Sequence, residues 1–107
     1  MKLMTKEIES TIPELGSQEY VTDPIVHVKY FTPDSNWTWY AIEYSQKERQ
    51  FFGFVDGMFA EFGYFGLAEL EEARGPFGLP IERDMYWEPR RLSEIVGDTA
   101  FGGDRGR

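Results

Sequence analysis

Thirteen of the eighteen aromatic residues lie between Tyr30 and Phe65, in segments whose side chains alternate with a period of two. That period sends successive side chains to opposite faces of a strand, so the middle of the chain is expected to form a sheet with rings packed on it. At 107 residues there is room for one domain around one hydrophobic core. A hydrophobic share of 41% is enough to offset the entropy of ordering the backbone.

The spacing predicts a short helix over residues 5–11, capped by Thr5, with Ile8 and Ile12 on one face and Pro13 ending it. Pro24 reads as the entry to a sheet. In residues 25–31, Val26, Val28 and Tyr30 fall on one side of a strand, and His27 and Lys29 on the other. Thr32-Pro33-Asp34-Ser35-Asn36 is a turn, and residues 37–44 form a longer strand. Both alternating sets of that strand are apolar, so it is expected at the centre with both faces covered. Residues 51–55 and 58–65 flank Asp56-Gly57, a dipeptide suited to the positive backbone angles of a tight hairpin. Residues 67–74 turn helical, with Leu67 and Leu70 facing the sheet and Gly75-Pro76 as the stop. In residues 75–80, too rich in breakers to be regular, Phe77 and Leu79 are expected to plug the core from a fixed loop. Residues 81–87 would add an edge strand and 92–96 a last helical turn. The glycine-rich residues 97–107 are expected to be a flexible tail on a domain spanning residues 1–96.

Net charge is −8, from nineteen acidic and eleven basic residues. Phosphate backbones are repelled by such a surface, so direct nucleic-acid binding is disfavoured. Asp56, Glu61, Glu69, Glu71 and Glu72 follow one another between Phe51 and Ala73 with no lysine or arginine among them. They form either a solubilising face or a surface that meets a basic protein. The absence of cysteine removes disulfides, thiolate metal sites and cysteine nucleophiles, and fits a reducing compartment. No run is long and apolar enough for a membrane span, and the start lacks a secretory core, so a cytoplasmic location with no membrane contact is expected.

His27 is the single histidine, which excludes centres built from several imidazoles. It is read as a solvated residue beside Lys29. Ser35 and Ser93 lack the context of a hydrolase nucleophile, no glycine-rich loop opens a helix, and no spaced-aspartate loop is present. No catalytic, cofactor or metal residue is therefore assigned. Glu43 is the first residue to test for catalysis, since burial on its aromatic strand would raise its pKa. The simpler reading turns it outward to pair with Lys29 or Arg49. Trp37, Trp39, Tyr40 and Tyr44 could make a base-stacking platform, but the negative surroundings favour core packing.

The strings Met1-Lys2-Leu3-Met4-Thr5-Lys6-Glu7-Ile8, Phe31-Thr32-Pro33-Asp34-Ser35-Asn36-Trp37-Thr38-Trp39-Tyr40, Phe52-Gly53 and Arg74-Gly75-Pro76-Phe77-Gly78-Leu79-Pro80-Ile81-Glu82-Arg83-Asp84, with residues 67–71, resemble one family. It is a bacterial and mobile-element family known only as domain of unknown function 2958. The resemblance spans roughly residues 2–96 and leaves the glycine-rich end outside. It carries over no catalytic or binding residue. It implies a setting on plasmids, integrative elements and phages, where small proteins manage replication, transfer or host defences.

Together these readings predict an α+β domain: a mainly antiparallel sheet of four or five strands, an N-terminal helix, and a second helix packed on the sheet. The expected function is a non-enzymatic accessory protein whose acidic face, Asp56, Glu61, Glu69, Glu71 and Glu72, engages a basic groove on a nucleic-acid-handling protein, in the manner of an anti-restriction or anti-CRISPR inhibitor or a replication or transfer accessory. The alternative is a small ligand-binding domain or hydrolase using Glu43, His27 or Tyr40 in a pocket beside the aromatic sheet. A third reading is a scaffold subunit that forms a homodimer through exposed aromatics.

Overall fold

The computed structural model describes residues 1–96, so the expected tail, residues 97–107, lies outside the described residues. The elements in chain order are α1 (Lys6–Thr11), β1 (Ile25–Val26), β2 (Val28–Phe31), β3 (Thr38–Ser45), β4 (Gln50–Asp56), β5 (Ala60–Gly66), α2 (Leu67–Glu72), β6 (Glu82–Arg83), β7 (Arg90–Arg91) and α3 (Ser93–Val96). Five strands form an antiparallel sheet in the order β5-β4-β3-β2-β6, and β1 pairs with β7 in a separate two-stranded ribbon. The fold is α+β, as the alternation and the two helical segments require.

The aromatic alternation explains why β3 and β4 are central. Phe51 turns to one face, where its ring meets Tyr44 at 4.6 Å, Phe65 at 5.1 Å and Tyr30 at 5.5 Å. Leu3, Ile12, Leu67, Leu70 and Ile81 close over these rings and complete the larger core. On the other face Phe54 and Ile42 pack with Val26 and Leu92, flanked by Tyr40, Phe62 and Trp87. A bulge between Ala41 and Glu43 keeps both faces filled, because the extra residue sends Ile42 to the second core while Tyr44 returns to the first. Gly53 sits opposite Ala41, and a Cβ there would overlap the Tyr40 carbonyl, so β4 can approach β3 only with glycine at that place.

The helices follow their local chemistry. Thr5 Oγ1 accepts the Ile8 N–H at 3.1 Å to cap α1, and Ile8 and Ile12 face the larger core. Gly66 precedes α2, whose Leu67 and Leu70 are buried and whose Glu69 Oε1 accepts the Gly66 N–H at 3.0 Å. Among the described residues no helix is long and apolar enough to cross a membrane.

Several expectations change on folding. The strand expected over residues 25–31 breaks at His27, so Val26 joins the second core while Val28 and Tyr30 join the first. Period-two alternation fails there because the chain passes from the β1–β7 ribbon into the main sheet. The β4–β5 connection is a three-residue loop, and Gly57 does not have a positive φ. Glycine is required instead because the Trp37 ring lies against it, in the space a Cβ would need. The expected edge strand over residues 81–87 shrinks to Glu82–Arg83. Asp84 ends it by accepting the Tyr86 N–H at 2.9 Å and folding the chain into a turn.

Candidate interaction site at one end of the sheet

Sheet register gathers three connections at one end. The β2–β3 turn leaves after Phe31, the β4–β5 loop leaves after Asp56, and β6 enters with Glu82 opposite Phe31, so residues 75–80 arrive from that same end. Asp34 of the turn organises the third connection. Its Oδ2 accepts the Phe77 N–H at 2.9 Å and the Leu79 N–H at 3.4 Å. Within the loop, Gly75 N–H donates to the Leu79 carbonyl and Gly78 N–H to the Gly75 carbonyl, each at 2.9 Å. Asp34 Oδ1 is buried against Gly75, and a Cβ at Gly75 would overlap it.

This clamp corrects the expectation for Phe77 and Leu79. The loop is fixed, but its amides turn inward to the carboxylate, which throws the side chains outward. Phe77 is 85% exposed and Leu79 is exposed as well. Trp37, stacked on Trp39 with centroids 5.8 Å apart, covers Gly57, and Met58 and Phe59 beyond it are exposed. Phe77, Leu79, Trp37, Met58 and Phe59 therefore form an apolar end on backbone held by hydrogen bonds and ring contacts. Exposed apolar side chains placed at one end of the sheet make that end the candidate interaction surface. Nothing in the sequence separated Asp34 from the other turn formers around it, because its partners lie more than forty positions away.

The five predicted acids do not share one face. Asp56 follows Phe54 on the side of the second core, whereas Glu61, opposite Val55, points with Phe65 to the side of the larger core. Both are exposed at the apolar end. Glu69, Glu71 and Glu72 lie on α2, beyond the far end of β5, separated by roughly 20 Å of strand. Glu69 is turned back onto Gly66, and Glu71 Oε1 pairs with Arg49 Nη2 at 3.2 Å.

The residues weighed for catalysis are not brought together. Glu43 is fully buried, which overturns its outward reading. Its two carboxylate oxygens accept the Gly16 and Gln18 N–H groups at 2.7 Å each, tying the segment after α1 to β3. Gly16 adopts φ 89° at that point. His27 is half-buried rather than solvated, and burial lowers its pKa. Tyr40 and Tyr44 hold their hydroxyl protons more firmly than a free phenol, chiefly because they are buried. A concavity of about 980 Å³, open to solvent, lies between the N-terminal segment, α1 and α2, and is lined by Lys2, Glu9, Tyr44, Arg49, Glu71 and Arg74 among others. Glu43, His27 and Tyr40 are not part of it. Of the aromatics considered for base stacking, Tyr44 is core, Trp39 and Tyr40 are partly buried, and Trp37 alone is exposed.

A family model described as protein of unknown function (DUF2958) matches residues 3–102. The chain belongs to this family. The DUF2958 match runs past Val96, so it takes in part of the glycine-rich end that the sequence resemblance left out. No curated protein and no solved structure matches the chain. Two of the DUF2958 resemblance strings, residues 31–40 and 74–84, are the segments that Asp34 joins.

Proposed function

We propose that this DUF2958 chain is a non-enzymatic accessory protein of a mobile element, plasmid or phage, acting in the cytoplasm by docking the apolar end of its sheet into a protein that handles nucleic acid. The observation that carries the reading is Phe77, 85% exposed on a loop whose amides are held by Asp34. An aromatic side chain on preorganised backbone loses little entropy on binding, which is the property of an interface anchor. Asp56 and Glu61 stand exposed at this end of a molecule with net charge −8. The complementary partner surface is an apolar pocket bordered by lysine and arginine, of the kind that lines a nucleic-acid groove. Compared with the five-residue acidic face, this reading keeps Asp56 and Glu61 and assigns Glu69 and Glu71 to local contacts around α2.

The test is retention of host proteins by the immobilised chain at low and high salt, beside Phe77→Ser and Asp56→Asn/Glu61→Gln variants, with the retained protein identified and its nucleic-acid binding assayed. The expected result is a nucleic-acid-binding protein whose hold on DNA or RNA is competed by the chain. Its retention falls with added salt and drops at least tenfold in Phe77→Ser. Equal retention by wild type and Phe77→Ser, or no retention at low salt, overturns the reading.

A further inference from the structure

The concavity between the N-terminal segment, α1 and α2 has a floor and a rim of different chemistry. Leu3, Tyr44, Leu67 and Ile81 line it from below, and all four are buried members of the larger core. Lys2, Arg49 and Arg74 stand around it, and all three are exposed. Its volume of about 980 Å³ lies at the upper end of the range for small-molecule sites.

The acids along the concavity do not cancel these cations. Glu71 Oε1 is held by Arg49 Nη2 at 3.2 Å, the one ion pair among the described residues. Register sets Glu82 opposite Phe31, so its side chain turns to the face of the second core. Arg83, opposite Tyr30, turns to the concavity's own face and donates from Nε to the Lys2 carbonyl at 3.1 Å. Glu9 remains, on the α1 wall. Lys2, Arg49 and Arg74, with Arg83 behind Lys2, therefore outnumber Glu9 and Glu71, in a molecule whose net charge is −8. Arg74 is tethered without being neutralised. Its Nη1 donates to the Ala73 carbonyl at 2.8 Å and to the Glu71 carbonyl at 3.2 Å, which leaves the donors on Nε and Nη2 for a ligand.

Arg49 carries a separate mark. It adopts φ 54°, and it is the only non-glycine residue with a positive φ among the described residues. Glycine would take this place in the β3–β4 turn without steric cost. The ion pair that Arg49 makes with Glu71 is exposed on both sides, so it adds little to folding. A side chain kept in a costly backbone conformation for so small a structural return points to a functional position.

We propose that this concavity binds a small organic anion, with a carboxylate or phosphate head gripped by Arg74, Arg49 and Lys2 and an apolar body laid on Leu3, Leu67 and Ile81. Guanidinium groups match either head with paired N–H donors. An apolar floor with a few convergent polar groups is the usual make-up of a ligand site. Glu43, His27 and Tyr40 take no part in it, and neither do Phe77, Trp37, Met58 and Phe59 of the apolar end. The site and the docking end therefore fail separately.

The experiment is NMR titration of the full chain with 1-naphthyl phosphate and 1-naphthoate, beside inorganic phosphate and the cation 1-naphthylmethylamine. The naphthyl anions are expected to give saturable shifts at the amides of Arg49, Leu67 and Arg74, and the tighter of the two names the head group. Inorganic phosphate lacks the body and the amine has the wrong charge, so each is expected to bind at least tenfold more weakly. Lys2→Met and Arg49→Gly should weaken the tighter probe at least fivefold, and Phe77→Ser should leave it unchanged. Arg49→Gly also separates binding from folding. Glycine relieves the positive φ, so the thermal midpoint is expected to hold or rise while affinity falls. No saturable shift with either anion, equal binding of the amine or of inorganic phosphate, or full affinity in Lys2→Met or Arg49→Gly overturns the proposal.

Discussion

Glu43 shows how far one residue's role depends on its surroundings. It carries a carboxylate into a fully buried place, and that is tolerated because both oxygens receive backbone N–H groups at 2.7 Å. Removing the carboxylate strands the Gly16 and Gln18 donors. Glu43→Ala is expected to destabilise the protein by about 3–5 kcal/mol. Glu43→Gln, which keeps one acceptor and adds an NH₂ group with no anionic charge, should cost about 1–3 kcal/mol. Urea unfolding of the two variants checks the order. A loss below about 0.5 kcal/mol in Glu43→Ala would remove Glu43 as the tie between β3 and residues 14–18. The strand around Glu43 was legible from its alternation. Its inward turn was not, because the bulge at Ala41 resets the alternation and the donating amides lie more than twenty positions upstream.

Among the elements, α1, α2, β3 and the β4–β5 hairpin were readable because each is specified by neighbours in sequence: Thr5 as a cap, Leu67 and Leu70 on one helical face, aromatic residues at period two. The loop over residues 75–80 was not readable in the same way. Its glycines and prolines forbid regular structure, but the direction of its side chains depends on Asp34 accepting from Phe77 and Leu79. Asp34→Ala is expected to destabilise the fold by about 1–3 kcal/mol and to speed amide exchange at Phe77 and Leu79. Phe77→Ser should change stability by less than about 0.5 kcal/mol, since the ring has almost no contact to lose. Exchange mass spectrometry with thermal unfolding separates the two. Unchanged exchange at Leu79 in Asp34→Ala would show that the loop holds itself.

For the whole molecule, buried titratable groups set a pH window. Burial lowers the pKa of His27 from 6.5, so the folded protein keeps a neutral ring where the unfolded chain protonates it. Its contribution is complete above pH 6.5 and is lost as pH falls below that value. Burial raises Tyr30, whose hydroxyl donates to the Leu3 carbonyl at 2.6 Å, and also raises Tyr40 and Tyr44. The unfolded chain ionises these phenols from about pH 10, while the folded protein holds their protons, so stability falls as pH climbs above that point. The expected profile of urea midpoint against pH is a plateau bounded on both sides. His27→Gln should flatten the acid limb and Tyr30→Phe the alkaline limb. An acid limb unchanged in His27→Gln would assign that loss to the carboxylates.

Sequence alone determined what near neighbours can enforce: an α+β chain with a central aromatic sheet, two capped or glycine-bounded helices, strong net negative charge, a single histidine and no cysteine. Each follows from spacing or count, which need no knowledge of who meets whom. Tertiary structure decided what depends on distant partners. It buried Glu43 through Gly16 and Gln18, turned Phe77 outward through Asp34, and set Asp56 and Glu61 on opposite faces. Backbone donors look alike in sequence, and a carboxylate selects among them only once the sheet has brought them within hydrogen-bonding reach.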